Sequence, residues 1–272
     1  MGQPLSIISA RLDWRVDVKN AARLSTVFAH CNRYEWAEAR TELEELRPAI
    51  GGRPSANSAQ LMTYLDGVIK QGMGNDQAAL TLFQSPDLSL PSQPSKLAGA
   101  ELDVRILSTI NSILILQQSA NTRPQAETLL ELVSKYADTH KNRSIVSAAH
   151  LLRASSDPHM AIVRMKQHLS AALAAAKEVN NAQLLAIIMN LMVVRFFTGV
   201  VGEQAEKSAR VGVQLSKKVH STLLQAVSNR NLAECMELQG KREEAGNTME
   251  IAREMMAQVP EGVKAKFVSD GV

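Results

Sequence analysis

The sequence predicts an all-α fold, a right-handed superhelical solenoid built from about twelve helices paired as antiparallel hairpins. Apolar residues recur with a helical period along the chain, and no segment shows the alternation of a strand. An alanine also recurs shortly after a turn, at Ala37, Ala78, Ala126, Ala205 and Ala245. The intervals are 41, 48, 79 and 40 residues, and the interval of 79 covers two units with a degenerate middle one. Because a small residue at a fixed place lets two helices approach closely, this period indicates stacked helical hairpins.

The individual helices follow from the periodic segments and from the residues that interrupt them. All nine prolines fall at the ends or in the first turns of these segments, where proline is tolerated. Glycines at 51–52 and at 72 and 74 mark further stops. The predicted helices span residues 5–31, 35–47, 56–72, 75–84, 96–118, 124–139, 142–155, 159–179, 181–199, 203–218, 220–239 and 242–258.

The predicted organisation has four parts: first hairpins over 1–84, an inserted loop over 85–95, the remaining hairpins of the same solenoid over 96–259, and a frayed tail over 260–272. The loop holds three prolines and four serines in eleven residues, which excludes a helix. It is interpreted as a surface insertion, with a partner-binding loop as the alternative. No polar capping hairpin precedes the first helix. We therefore expect that this chain is a fragment of a longer array, or that its start docks against another chain.

Composition narrows the class of protein. Hydrophobic residues make up 45% of the chain but aromatics only 4%, so aliphatic side chains and 11 Met must fill the core. The net charge of +3 is a weak bias. Cys31 and Cys235 lie in apolar runs without a CxxC motif, which fits a reducing compartment. The longest apolar stretch, 184–197, contains Asn190 and Arg195 and is too short for a membrane span. An intracellular soluble protein is predicted.

Motifs for catalysis, cofactors or metals are not found in the sequence. The six histidines form no HExxH pattern and are interpreted as solvated or capping residues. No Walker sequence, GxGxxG or GxSxG occurs. We therefore predict that the chain is not an enzyme and that it uses no cofactor and no metal.

A basic stretch runs from Lys135 to His168, with six Lys or Arg against two Asp. Its basic residues are spread over about three predicted helices, and Tyr136 is its single aromatic residue. An ordinary basic surface is the favoured interpretation. Contact with nucleic acid or an acidic peptide is the alternative.

The repeat itself predicts a partner-binding groove, because the first helix of each stacked hairpin lines the concave side. Polar residues on these helices are informative, since buried polar groups need partners and an amide ladder can hydrogen-bond an extended peptide. The alternative is that the Asn side chains bridge neighbouring hairpins and contact no ligand. The predicted groove residues are Arg23, Thr26, His30, Tyr64, Asn111, Asn190, Phe197, Asn229, Arg230, Asn231 and Glu234.

Part of the chain resembles a known family. The stretch 168–197 continues through Gly199-Val-Val-Gly-Glu-Gln-Ala-Glu-Lys-Ser208 to 213–217, 224–232 and 244–249. In order and spacing this resembles the C-terminal repeats of the cohesin-loader subunit called Mau2 or Scc4. The hairpin over 22–47, with Tyr34-Glu-Trp-Ala37, is similar to an upstream repeat of that family. The good match covers about 90 to 100 residues of helical-repeat motifs, which are less specific than a catalytic signature.

The resemblance implies a tetratricopeptide-like superhelix that wraps the extended N-terminal segment of a large HEAT-repeat partner of the Scc2/NIPBL type. Such a chain would be the C-terminal portion of a non-catalytic scaffold subunit. It would act in the nucleus on chromatin, helping to load cohesin and so supporting sister-chromatid cohesion. No membrane contact is implied, and direct DNA binding is expected to be weak or absent. The main alternative is a generic tetratricopeptide adaptor in another intracellular complex. A nucleic-acid-binding helical protein and an enzyme are the least favoured alternatives.

Overall fold

The computed structural model describes residues 18–49, 56–92, 99–138, 140–157, 160–196, 202–259 and 261, and all regular structure in these ranges is helical. This confirms the predicted all-α class. The helices are α1 (Val18–Arg33), α2 (Trp36–Ala49), α3 (Ala56–Gly72), α4 (Asp76–Phe83), α5 (Ala100–Leu116), α6 (Arg123–Ala137), α7 (Arg143–Ser156), α8 (Ile162–Glu178), α9 (Ala182–Phe196), α10 (Glu203–Lys218), α11 (Thr222–Leu238) and α12 (Arg242–Gln258).

Consecutive helices pair into six hairpins, from α1 with α2 to α11 with α12. The first helices of neighbouring hairpins also pack side by side, in the order α3, α5, α7, α9 and α11. This is the arrangement of a helical solenoid, in which each repeat covers the apolar face of the next. The handedness of the superhelix stays a prediction.

An alanine is buried near the start of the second helix in five of the six hairpins, but two of its predicted positions are wrong. Ala126, Ala205 and Ala245 are buried, whereas Ala37 is exposed and Ala78 is half-buried. In α2 and α4 the buried alanine comes two and one residues later, because α2 begins at Trp36 and α4 at Asp76. Each of the six second helices has a buried residue at its third or fourth position: Ala39, Ala79, Ala126, Met165, Ala205 and Ala245. Met165 therefore fills the degenerate unit.

Several hairpin turns contain one residue with a positive φ. Gly74 and Gly240 have this conformation after α3 and α11, and glycine adopts it without steric cost. Asn180 and His220 adopt it between hairpins, with φ of 50° and 52°. Tyr34, between α1 and α2, has φ of 65°. A bulky residue is uncommon in this conformation, so the first turn differs from the others.

The described part of the Pro/Ser-rich segment, up to residue 92, is bound to the body of the protein. Leu88 and Leu90 are buried in the main core. The Arg105 guanidinium donates to the carbonyls of Pro86 and Ser89 at 3.0 and 2.7 Å, and the Tyr136 hydroxyl donates to the carbonyl of Pro91. Residues 85–92 therefore form a surface segment that two buried leucines anchor to the core, and its origin as an insertion stays a prediction.

The array also makes a contact between distant repeats. Tyr34 in the first turn is buried, and its hydroxyl is hydrogen-bonded by the side chain of Gln183 at the start of α9. Residues of the same turn border one cleft together with Leu223 of α11 and Val259 after α12. The first hairpin thus contacts the fifth and shares a cleft with the sixth.

Candidate partner-binding surface

The predicted groove residues divide into a buried set and an exposed set. Tyr64, Asn111, Asn190, Asn229 and Asn231 are buried. Phe197 lies outside the residues that the structure describes. Thr26 is exposed and donates to the carbonyl of Ala22 in its own helix, while Arg23, His30, Arg230 and Glu234 are partly or fully exposed.

The buried pair Tyr64 and Asn111 joins two neighbouring hairpins. The Asn111 amide donates to the Tyr64 hydroxyl at 3.2 Å, which links α5 to α3. Burial raises the pKa of Tyr64 above its ordinary value of 10.0. Both side chains are inaccessible in this structure, so their role here is to hold the first helices together.

A second buried network joins α9 to α11. The Asn190 amide donates to Ser228 Oγ at 2.9 Å and its carbonyl oxygen accepts from Asn231 at 3.1 Å. Asn229 donates to the Gln225 carbonyl at 2.8 Å within α11. These contacts correspond to the bridging alternative for Asn190 and Asn231. A partner that contacts either side chain would have to displace them.

The exposed set is paired with carboxylates. Arg23 Nε lies 3.0 Å from Glu42 Oε1, and a second nitrogen lies 3.0 Å from Glu45 Oε2. Arg230 pairs with Glu234 at 3.0 Å along α11. The surface therefore presents balanced charge, which suits the main chain and neutral side chains of a peptide better than a highly charged ligand.

His30 also has a carboxylate partner. Its Nδ1 lies 2.6 Å from Glu35 Oε2, in the turn that follows α1. The Arg33 guanidinium lies 3.1 Å from the same carboxylate oxygen. His30 therefore helps to order the first turn, and a role in contacting a partner stays a prediction.

The charge of the basic stretch is partly compensated. Arg143 makes a bidentate pair with Glu178 at 2.6 and 2.8 Å. Arg153 lies 3.2 Å from Asp138 and donates to Ser134 Oγ. These pairs neutralise two of the six basic side chains, and one of the carboxylates lies outside the stretch. The structure therefore favours the ordinary basic surface.

Two histidines of this stretch face each other between α7 and α8. His150 Nδ1 lies 3.2 Å from His168 Nδ1. Burial, and then the charge of Arg153, lower the pKa of both rings below the ordinary 6.5, so both are neutral at pH 7. One ring donates and the other accepts, which needs no further ligand.

The described ranges contain no group of three His, Cys, Asp or Glu side chains placed to hold a metal ion. His140 Nε2 instead lies 3.0 Å from Asp103 Oδ1, with both side chains buried. His140 Nδ1 accepts from the backbone N–H of Asn142 at 3.0 Å. This histidine therefore ties the loop before α7 to the first turn of α5.

In the described part of the chain, every helix is too short or too polar to cross a bilayer.

Comparison with protein families decides the identity. The family model described as cohesin loading factor matches residues 2–243, which include α1 to α11 and the start of α12. The chain belongs to the cohesin loading factor family. A role in cohesin loading, and association with the cohesin-loading machinery, follow from this membership. Comparisons with curated proteins and with solved structures gave no match.

Sequence reasoning missed one contact within this cohesin loading factor. The contact of Tyr34 with α9 joins segments far apart in the sequence, and the helical period carries no information about such a contact. A signal was present, because tyrosine occupies a turn position at which Gly or Asn is favoured.

Proposed function

We propose that this cohesin loading factor is a non-catalytic scaffold that wraps the extended N-terminal segment of a large Scc2/NIPBL-type HEAT-repeat partner in the nucleus. The match to the family model carries the proposal. The side-by-side packing of the first helices supports it, since a stacked array gives a long, preformed surface. Preformed surfaces bind extended segments well because little ordering cost falls on the receptor.

The protein already holds one segment of its own chain by side-chain hydrogen bonds to the backbone, which is how a partner peptide would be bound. An extended peptide presents backbone carbonyls and N–H groups that must keep hydrogen-bond partners when water leaves. Residues 86–91 are held in this way inside the protein, by side chains of Arg105 and Tyr136 on successive helices. Arg23 and Arg230 carry the same kind of donor at half-buried positions of α1 and α11.

The proposal is tested by purifying the tagged chain from cells and identifying what accompanies it by mass spectrometry. We expect a giant HEAT-repeat protein and, through it, cohesin. Its consistent absence would contradict the proposal. Recovery of a different complex in its place would favour the generic adaptor.

The groove assignment is tested in the same assay by the double substitution Arg23→Glu and Arg230→Glu. We expect reduced recovery of the partner, because both donors are replaced by carboxylates. Arg40→Glu is the matched control, since Arg40 makes a similar exposed pair with Glu44 on a second helix. Equal recovery with both variants would rule out a groove at these positions.

A further inference from the structure

The first turn is covered although it lies at the edge of the array. Tyr34 and Trp36 flank this turn and pack edge to face, with ring centroids 5.6 Å apart. Both are buried, at 6% and 5% exposure. The end of α3 covers Trp36, whose ring lies against Gly72. Tyr34 stands in the turn itself, at the edge of the array, so another part of the chain must cover it.

The covering part comes from the far end of the described array. The side chain of Gln183, at the start of α9, hydrogen-bonds the Tyr34 hydroxyl. The turn also borders a cleft of about 530 Å³ whose other wall includes His220, Leu223 and Val259. We call this contact region the seam: Tyr34 and Trp36 on one side, and Gln183, Leu223 and Val259 on the other. In a simple solenoid each repeat touches only its neighbours, and here the first hairpin touches the fifth and shares a cleft with the sixth.

The backbone of Tyr34 shows that its side chain matters at this place. Its φ of 65° lies where Gly74 and Gly240 stand in the corresponding turns of other hairpins. A bulky residue in that conformation costs free energy, which the surrounding contacts must offset. Gly or Asn would adopt the positive φ of this turn at a lower conformational cost than Tyr. The cost is explained if the tyrosine ring is needed for contact with α9.

The seam is also less completely packed than the hairpins. The Trp36 indole N–H is buried without a hydrogen-bond partner among the described residues, and the cleft separates the two sides over part of their length. Each hairpin, by contrast, has its own extended helix–helix contact. The seam can therefore open while the hairpins remain folded, because contacts of small area open locally at low cost.

We propose that the first turn is a latch: it closes the array against α9, α11 and Val259, and its opening admits and releases the extended partner segment. The gating part rests on the proposed function, whereas the closure itself concerns this chain alone. A closed seam slows dissociation of an enclosed segment, since the segment leaves only after the first hairpin swings away.

The closure is tested by distance measurement between spin labels on the full chain. Thr41→Cys on α2 and Lys218→Cys on α10 place two labels at exposed positions on opposite sides of the seam. The native Cys31 and Cys235 are buried and react slowly. Tyr34→Asn is the decisive variant, because Asn accepts the positive φ, as Asn180 does, and lacks the ring. We expect a narrow distance distribution in the parent and a shift to longer, broader distances in the variant.

Two controls separate the latch from general loosening. Tyr64→Phe removes a buried tyrosine–amide hydrogen bond between adjacent hairpins and should leave the distance across the seam unchanged. Labels at Thr41 and Gln77, on α2 and α4, should report the same distance with and without Tyr34→Asn. An unchanged distance across the seam in Tyr34→Asn would overturn the latch.

The gating part is then tested with the co-purified complex. We expect the partner to dissociate faster from Tyr34→Asn than from Tyr64→Phe or the parent. Longer label distances with unchanged dissociation would overturn gating and leave the proposed function intact. A partner that never binds the parent would contradict the proposed function, while the label distances would still decide the closure.

Discussion

At Gly72 the absence of a side chain lets an indole ring lie directly on the end of α3. A Cβ at this position would stand 2.3 Å from two ring atoms of Trp36, far inside contact distance. Gly67 has the same relation to Phe83, at 2.5 Å. With few aromatic residues in the chain, these close approaches of ring and backbone fix how the first two hairpins pack.

Gly72→Ala should therefore destabilise the protein by about 1–3 kcal/mol, because the indole must move out of a packed site. Gly246→Ala is the control: this glycine is exposed inside α12 with no atom within 4 Å of the new Cβ. It should stabilise by about 0.5–1 kcal/mol through helix propensity. Urea denaturation of both variants checks the pair. A harmless Gly72→Ala would show that Trp36 does not pack there.

Alkaline pH should weaken the first hairpin. Burial raises the pKa of Cys31 from 9.0 and that of Tyr34 from 10.0, each to about 12. The unfolded chain therefore releases these protons at lower pH than the folded chain. Stability is complete below about pH 9 and falls as the pH rises toward about 12. Denaturation midpoints between about pH 8 and pH 11 should show the fall, and Tyr34→Phe should reduce its slope. An equal slope in this variant would contradict the assignment.

Among the elements, the helices themselves were the part that sequence predicted best. The period of apolar residues and the positions of Pro and Gly set most boundaries within a few residues of those observed. The exact register inside a helix was harder, as Ala37 and Ala78 show. Which alanine faces a neighbour depends on where the helix starts, and a shift of one residue turns it by 100°. The burial of Leu88 and Leu90 was not predicted, because the prolines around them indicate a loop and interrupt the periodic pattern of apolar residues.

The corrected register predicts which alanines tolerate enlargement. Ala205→Leu and Ala245→Leu should each destabilise by about 1–3 kcal/mol, since both are buried where two helices approach. Ala37→Leu, on the exposed face of α2, should change stability by less than about 0.5 kcal/mol. Thermal unfolding of the three variants tests this. A large effect at Ala37 would restore the register predicted from the sequence.

The buried amide network between α9 and α11 predicts a further difference. Asn190→Ala removes partners of Asn231 and Ser228 at once and leaves buried polar atoms unpaired, at a cost of about 1–3 kcal/mol. Asn247→Ala, at an exposed position of α12, should be nearly neutral. Chemical denaturation compares the two. If Asn190→Ala were equally neutral while partner recovery fell, Asn190 would be a ligand contact rather than a bridge.

For the molecule as a whole, the paired arginines predict weak DNA binding. Arg143 and Arg153 already have carboxylate partners, and the net charge is only +3. These pairs reduce the number of side chains that can contact phosphate, so the isolated chain should bind duplex DNA weakly even at low salt. Fluorescence anisotropy with labelled DNA measures this. Tight, salt-sensitive binding that is lost on charge reversal at Arg143, Arg153 and Arg164 would establish the nucleic-acid alternative.

At this scale the binding surface was only partly predictable. Counting residues along the repeat located the first helix of each hairpin. Arg23 and Arg230, which are partly exposed, remain candidate groove residues. Counting did not reveal which polar side chains hydrogen-bond between neighbouring hairpins. These are Tyr64, Asn111, Asn190 and Asn231. A polar residue on a groove-facing helix and one that bridges two helices have the same spacing in sequence, and only the packed neighbours distinguish them.

The seam has a consequence for how the chain is made. A solenoid with contacts between neighbours alone folds by adding one repeat after another, and its early repeats are finished as soon as they emerge from the ribosome. Here Tyr34 acquires part of its cover from Gln183 of α9, and the first turn borders a cleft with Leu223 and Val259. The first turn therefore keeps the Tyr34 ring partly exposed until α9 has been synthesised. During that interval Tyr34 is an exposed aromatic side chain on the nascent chain, of the kind that chaperones bind.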